Sequence, residues 1–209
     1  MKKLLLTVLS LALAAAASAQ TPKEIISRME ERMSTFNYEK DGLSMIMDLK
    51  MPILGTFSVK ALSRGDKMRM EMQKGDAHNI TWRDKDTEWD YDVAKNEIVI
   101  KRIDPKKESK NEGDVELFKG ITEGYDVTIA KETEKLWYLK CKKSRANKND
   151  DDPKNMDLIV EKGTYNPRSL SAKMKGVTVT MRDLTYGVSE KQVTFNAANH
   201  PGANIIDKR

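Results

Sequence analysis

From Gly42 onward the chain alternates apolar and other residues with a period of two. Leu43, Met45, Met47, Leu49 and Met51 keep this beat, as do Phe57, Val59 and Ala61, then Met68, Met70 and Met72. Ile80 with Trp82, Trp89 with Tyr91, and Ile98 with Ile100 continue it. A period of two puts alternate side chains on one face of an extended strand, so this stretch can only be sheet. Turn residues punctuate it at Pro52 to Gly55, Arg64-Gly65-Asp66, Gly75-Asp76, Asp84 to Thr87 and Ala94-Lys95-Asn96. Connections this short predict antiparallel hairpins in a meander.

A charged break from Asp104 to Gly113 precedes a segment, Asp114 to Gly120, that reads as a short helix with an aspartate cap and a glycine stop. The alternation then resumes in Tyr125, Val127 and Ile129, in Trp137, Leu139 and Cys141, and in Leu158 with Val160. Leu170, Ala172 and Met174 follow, then Val177, Val179 and Met181, and a last strand is predicted at Val193 with Phe195. About a dozen strands and two helices predict a mainly β, α+β chain: an unclosed, strongly curved antiparallel β-barrel covered by a helical lid.

The lid is legible before the sheet begins. Thr21 caps, Pro22 suits the first helical position, and Glu24 closes a capping box. Ile25, Ile26, Met29, Met33 and Phe36 then recur at helical spacing on one face. This stripe must cover something apolar, and Leu117 with Phe118 of the short second helix are expected to join it.

Upstream, Lys2 and Lys3, an apolar run from Leu4 to Ala17, and Ala17-Ser18-Ala19 ahead of Gln20 read as a cleavable secretory signal, residues 1–19. The run is short for a bilayer span, and no second long apolar stretch follows. No cysteine stands at the cleavage site to carry a lipid. The expectation is a soluble protein of the bacterial periplasm, forming a single domain over residues 20–209. In a compartment without ATP its work must run on binding energy or unassisted chemistry.

Removing Lys2 and Lys3 from the formal charge of +5 leaves +3, in a chain with 33% charged residues of both signs. That balance favours solubility over nucleic-acid binding, since the basic run at Lys140, Lys142, Lys143 and Arg145 lacks interleaved aromatics. Cys141 is the one cysteine, so no internal disulfide can form, and its register with Trp137 and Leu139 makes it a small inward hydrophobe rather than a reactive thiol.

Signals for catalysis are sparse. His78 and His200 are the two histidines, and neither has a partner at metal-ligand spacing. The Asp150, Asp151, Asp152, Asn155 and Asp157 cluster lacks the glycine and distal glutamate of an EF-hand and reads as a solvated loop. No phosphate cradle or nucleophile elbow is present, so neither an enzyme nor a cofactor is expected. Methionine is the unusual residue: twelve occur, and most fall on the inward parity of strands or on the helix stripe. A methionine-tolerant core explains them, and so does a cavity that adapts to an acyl chain.

Three segments resemble the periplasmic outer-membrane lipoprotein carrier (LolA-like) family. They are Ile80 to Tyr91, with its strand, turn and Trp-x-Tyr strand; Arg64 to Glu71; and Val193-Thr194-Phe195 through Pro201-Gly202 to Ile206-Asp207. Two positions depart from the pattern: Lys85 stands where a turn glycine is expected and Asp86 replaces a lysine. The resemblance implies a half-barrel whose apolar cavity shields the acyl chains of lipoproteins. Met45, Met47, Leu49, Phe57, Val59, Met68, Met70, Met72, Trp82, Trp89, Tyr91, Met174 and Met181 are the expected lining, and Arg64 the expected lid latch. It also implies an inner-membrane lipoprotein-release transporter as donor and an outer-membrane acceptor, with a monomeric carrier between them. The alternative is an envelope protein of the same fold that binds another apolar ligand or acts as a sensor.

Overall fold

Residues 20–53, 55–103, 118, 120–174 and 176–209 are described by the computed structural model. The signal segment, Leu117 and the whole charged break from Asp104 to Gly113 lie outside them. A thirteen-residue helix, α1 (Pro22–Ser34), opens the described chain, and both halves of its capping box are made: Thr21 accepts from the Glu24 amide, and the Glu24 carboxylate accepts from the Thr21 amide. A one-turn helix, α2 (Tyr38–Asp41), leads into the sheet.

Six strands follow by hairpins: β1 (Leu43–Met51), β2 (Gly55–Arg64), β3 (Lys67–Lys74), β4 (Ala77–Asp84), β5 (Thr87–Asp92) and β6 (Glu97–Arg102). A short helix, α3 (Ile121–Gly124), begins the second series: β7 (Tyr125–Glu132), β8 (Leu136–Lys143), β9 (Asn155–Glu161), β10 (Pro167–Met174) and β11 (Val177–Tyr186). The chain then passes through α4 (Glu190–Val193) and a 3-10 turn (Ala197–Asn199) to β12 (Asn204–Asp207). All twelve strands join one sheet, in the order β12-β6-β5-β4-β3-β2-β1-β11-β10-β9-β8-β7. The two meanders meet where β11 returns to pair antiparallel with β1. Among the described residues the sheet does not close, and β12 and β7 are its margins.

Two sequence expectations change here. Val193 and Phe195 do not form a strand: Val193 ends α4, whose N-terminus is fixed by a capping box between Ser189 and Gln192. The last strand is β12, and it runs parallel to β6, the exception in an otherwise antiparallel sheet. The short helix expected over Asp114 to Gly120 falls mostly outside the described residues; Gly120, at φ 72°, instead precedes α3.

Local geometry explains two positions. Gly42 has φ +56°, and an added Cβ would stand 2.8 Å from both the Cβ and the carbonyl oxygen of Val188. Any side chain there would push away the segment that leads into α4. Lys85 adopts φ 50° in the β4–β5 turn, the left-handed conformation that suits the glycine expected there. Bulges interrupt pairing between Ser44 and Ile46 against β11, and between Ile129 and Lys131 against β8. Among the described residues no helix is long and apolar enough to cross a membrane.

Candidate functional site

Directly paired residues of neighbouring strands point to the same side of a sheet, so the pairings divide the side chains between two faces. One row runs Met72, Val59, Met47, Met181, Leu170, Leu158, Leu139 and Ile129 across β3, β2, β1, β11, β10, β9, β8 and β7. Beside it runs Phe57, Leu49, Val179, Ala172, Met156, Cys141 and Val127. From β11 to β8 these rows are largely buried, packed in one core with Ile25, Ile26, Met29, Met33 and Phe36 of the α1 segment and with Phe118 and Ile121. The stripe of α1 thus packs in one core with the sheet, while Leu117 lies outside the described residues.

Several polar contacts fasten this cover. The Glu30 carboxylate accepts from the amides of Ile121 and Thr122, at 2.7 and 3.1 Å, and from the Thr122 hydroxyl at 2.6 Å. Gln20 and Arg28 both donate to the Tyr165 hydroxyl, whose ring stacks on Trp137. Phe36 meets Tyr186 edge-on, and burial pushes the Tyr186 phenol up to about 12. Cys141 is buried beneath the cover, and burial pushes its thiol up to about 12 as well, which suits a packing role.

The apolar face does not stop at the edge of that core. Met47, Leu49, Phe57, Val59, Met68 and Met70 are half-buried on β1 to β3, and Met72 is 36% exposed. Beyond β3 the same face turns polar: Thr81, Arg83, Glu88 and Asp90 take the positions across from Met70 and Met68. Arg83 donates to Glu88 at 2.6 Å, while Asp90 accepts from Thr81 and Lys101. Burial opposes ionisation of Asp90, but the hydrogen bonds from Lys101 and Thr81 outweigh it and hold the carboxyl below its usual range. The result is an apolar shelf, bounded by the helix-covered core on one side and a charged wall on the other.

Trp82, Trp89 and Tyr91 are not on this shelf. Trp82 pairs with Arg69, and Trp89 with Trp82, so they share the opposite face with Ile80, Ile98 and Ile100. There the segment after α4 covers them: Phe195 stacks on Trp89 at 5.3 Å and His200 meets Tyr91 at 4.6 Å. Burial, with a contribution from Arg69, lowers the His200 pKa. The sheet thus changes its apolar face between its two halves. Of the expected lining, Met45 and Met181 are buried in the helix-covered core, and Met174, 38% exposed, stands at the far end of β10.

Arg64 also lies on the second face. It donates to the Val188 carbonyl at 2.7 Å, beside a cluster of Leu62, Val188 and Val193, and Lys67 next to it pairs with Glu190 at 2.7 Å. These bonds tie the α4 segment, whereas Glu30 ties α1. The aspartate-rich loop forms a cleft of about 330 Å³ with Lys173 and Met174, in which Asn147 and Asn149 donate to Asp152. Among the described residues no group of three or more His, Cys, Asp or Glu could hold a metal ion.

No protein-family model matches the sequence. No curated protein matches it in sequence either. Solved structures do match in fold. LprF from Mycobacterium bovis is 10% identical, with 81% of this chain and 96% of that one covered at a TM-score of 0.52. Lipoprotein LppX of Mycobacterium tuberculosis is 6% identical, covering 80% and 95% at 0.50. A LolA superfamily protein from Nitrosomonas europaea is 10% identical, covering 85% and 99% at 0.33. The chain shares its fold with LprF and LppX.

Proposed function

We propose that this chain is a periplasmic carrier that shields the acyl chains of lipoproteins and delivers them towards the outer membrane. The observation that carries this reading is the half-buried shelf of Met47, Leu49, Phe57, Val59, Met68 and Met70, continuous with the core beneath α1. An acyl chain laid along it gains about 0.8 kcal/mol for each methylene taken from water. Moving α1 aside would lengthen the shelf by the buried rows of β11 to β8. Methionine side chains suit such a surface because they repack around chains of different shape.

Binding rather than catalysis fits the titratable groups. The Cys141 thiol is buried and protonated, His78 pairs with Glu71 at 2.9 Å, and His200 is packed among aromatic rings. Release on this reading needs a better acceptor, not ATP, so the partners implied are a lipoprotein-release transporter in the inner membrane and an acceptor in the outer one. The test is titration of the exported protein with a fluorescent acylated peptide and, separately, with a free fatty acid. Saturable one-to-one binding that favours the acylated peptide supports a lipoprotein carrier. Equal binding of both points to a general lipid binder, and no saturable binding of either refutes the reading.

A further inference from the structure

Three hairpins end together at one end of the sheet, because Lys50 of β1 and Lys173 of β10 both pair with Thr178 of β11, and β3 and β4 turn at the same end through Gly75-Asp76. Three of the four large apolar residues most exposed among the described residues stand there; the fourth, Ile205, is on β12. Ile53, in the β1–β2 turn, is 95% exposed, with Met174 at 38% and Met72 at 36%. Met51 and Val177, half-buried, continue the shelf outward to this rim. Lys50, Lys74 and Lys173 are exposed around it, and the Lys74 ammonium sits 3.8 Å from the centre of the Phe57 ring.

We infer that this rim docks on a lipid bilayer containing anionic headgroups, with Ile53 entering the interface and the lysines meeting phosphate groups. A single projecting isoleucine on a hairpin tip finds little to bury against in water, and an interface takes it without a shaped pocket. Lysines close to an anionic surface add an attraction that salt screens. Asp76 and the run Asp150 to Asp152 border the rim, so the basic character is local and insertion carries much of the binding. Docked this way, the shelf opens directly onto the bilayer. If the carrier reading holds, on which this last point alone rests, an acyl chain can pass between membrane and shelf without crossing water.

The experiment is co-sedimentation of the leader-free exported protein with vesicles of phosphatidylcholine alone and of phosphatidylcholine mixed equally with phosphatidylglycerol, at low and high salt. Wild type should bind the mixed vesicles, and less at high salt. Ile53→Asp should bind at least about tenfold more weakly, as loss of an inserted side chain and gain of a repelled charge require. Its melting should not change, because Ile53 makes no core contact. The combined Lys50→Glu, Lys74→Glu and Lys173→Glu variant should lose the preference for anionic vesicles. Acylated-peptide binding in solution is measured in parallel. If it fails while vesicle binding behaves as stated, the carrier reading falls and the docking stands. Absence of vesicle binding at low salt, or equal binding by wild type and Ile53→Asp, overturns the docking.

Discussion

Met70 and Trp82, on adjacent strands, point to opposite sides of the sheet: Met70 pairs with Thr81, and Trp82 with Arg69. One belongs to a half-open apolar shelf, the other to a closed aromatic core. On the proposed carrier function, this relationship separates binding from stability and makes the two experimentally distinct.

Met70→Glu should weaken acylated-peptide binding by at least about tenfold, since a carboxylate on the shelf must lose water when a chain covers it. Its effect on folding should stay within about 1 kcal/mol because the site is half-solvated. Trp82→Ala should do the reverse, costing about 3 to 5 kcal/mol of stability. Denaturant melts and binding titrations on the same preparations check both. Equal loss of binding and stability in the two variants would contradict the division of faces.

Glu30→Ala removes the acceptor for three donors of α3 and should loosen α1. Hydrogen bonds to a charged group contribute about 1.5 to 3 kcal/mol, so hydrogen exchange in α1 should accelerate well before the strands exchange. Binding of an apolar dye should rise as Met29 and Met33 become reachable. An unchanged exchange pattern would mean that apolar packing alone holds the helix.

Arg64→Leu should act on the other face. Loss of the bond to the Val188 carbonyl frees the segment leading into α4, which exchange or limited proteolysis between Val188 and Val193 will register. Lysine should rescue poorly, because it keeps the charge but loses the planar fork. Cargo transfer to acceptor membranes, measured for wild type, Arg64→Leu and Arg64→Lys, tests whether this tie also governs retention. Equal transfer by all three removes Arg64 from any latch.

Acidification should destabilise the aromatic core through His200. Its pKa is lowered in the fold, so the unfolded chain takes up a proton more readily, from a value near about 6.5. The neutral imidazole's contribution is complete above that value and is lost as the pH falls through the lower folded pKa. Asp48, held down by hydrogen bonds from Arg182 and then Ser58, contributes in the same direction, lost only in acid well below the histidine window. Melting temperature should therefore drop between about pH 7 and about pH 5 in the wild type. His200→Phe, which keeps a ring against Phe195, should flatten that stretch of the curve, and an unaltered slope would assign the dependence to other groups.

Much of this fold is legible because period-two alternation and turn residues act locally. The α1 boundaries follow from Thr21-Pro22 and Glu24, and eleven of the twelve strands coincide with alternating runs. Val193 and Phe195 misled because two apolar residues two apart also fit a helix end, and the Ser189-to-Gln192 box was the competing signal. The grouping of Trp82 with the methionines failed for a register reason. A two-residue turn at Gly75-Asp76 pairs Lys74 with Ala77 and thereby sets Trp82 against Arg69, not against a methionine. That signal lies in the sequence. The partner of Glu30 does not, because a contact spanning 91 residues has no local signature.

An open sheet keeps two margins, each able to template a strand from another molecule. The bulge at Ile129 and Lys131 breaks the regular spacing of donors along β7, and exposed Asp126, Lys131 and Glu132 bring charge to that margin. The opposite margin, β12, has only four residues and carries Asn204 and Asp207. Short, interrupted and charged borders resist runaway cross-β pairing between copies. The protein can thus keep a wide sheet unsealed without becoming a seed for fibrils.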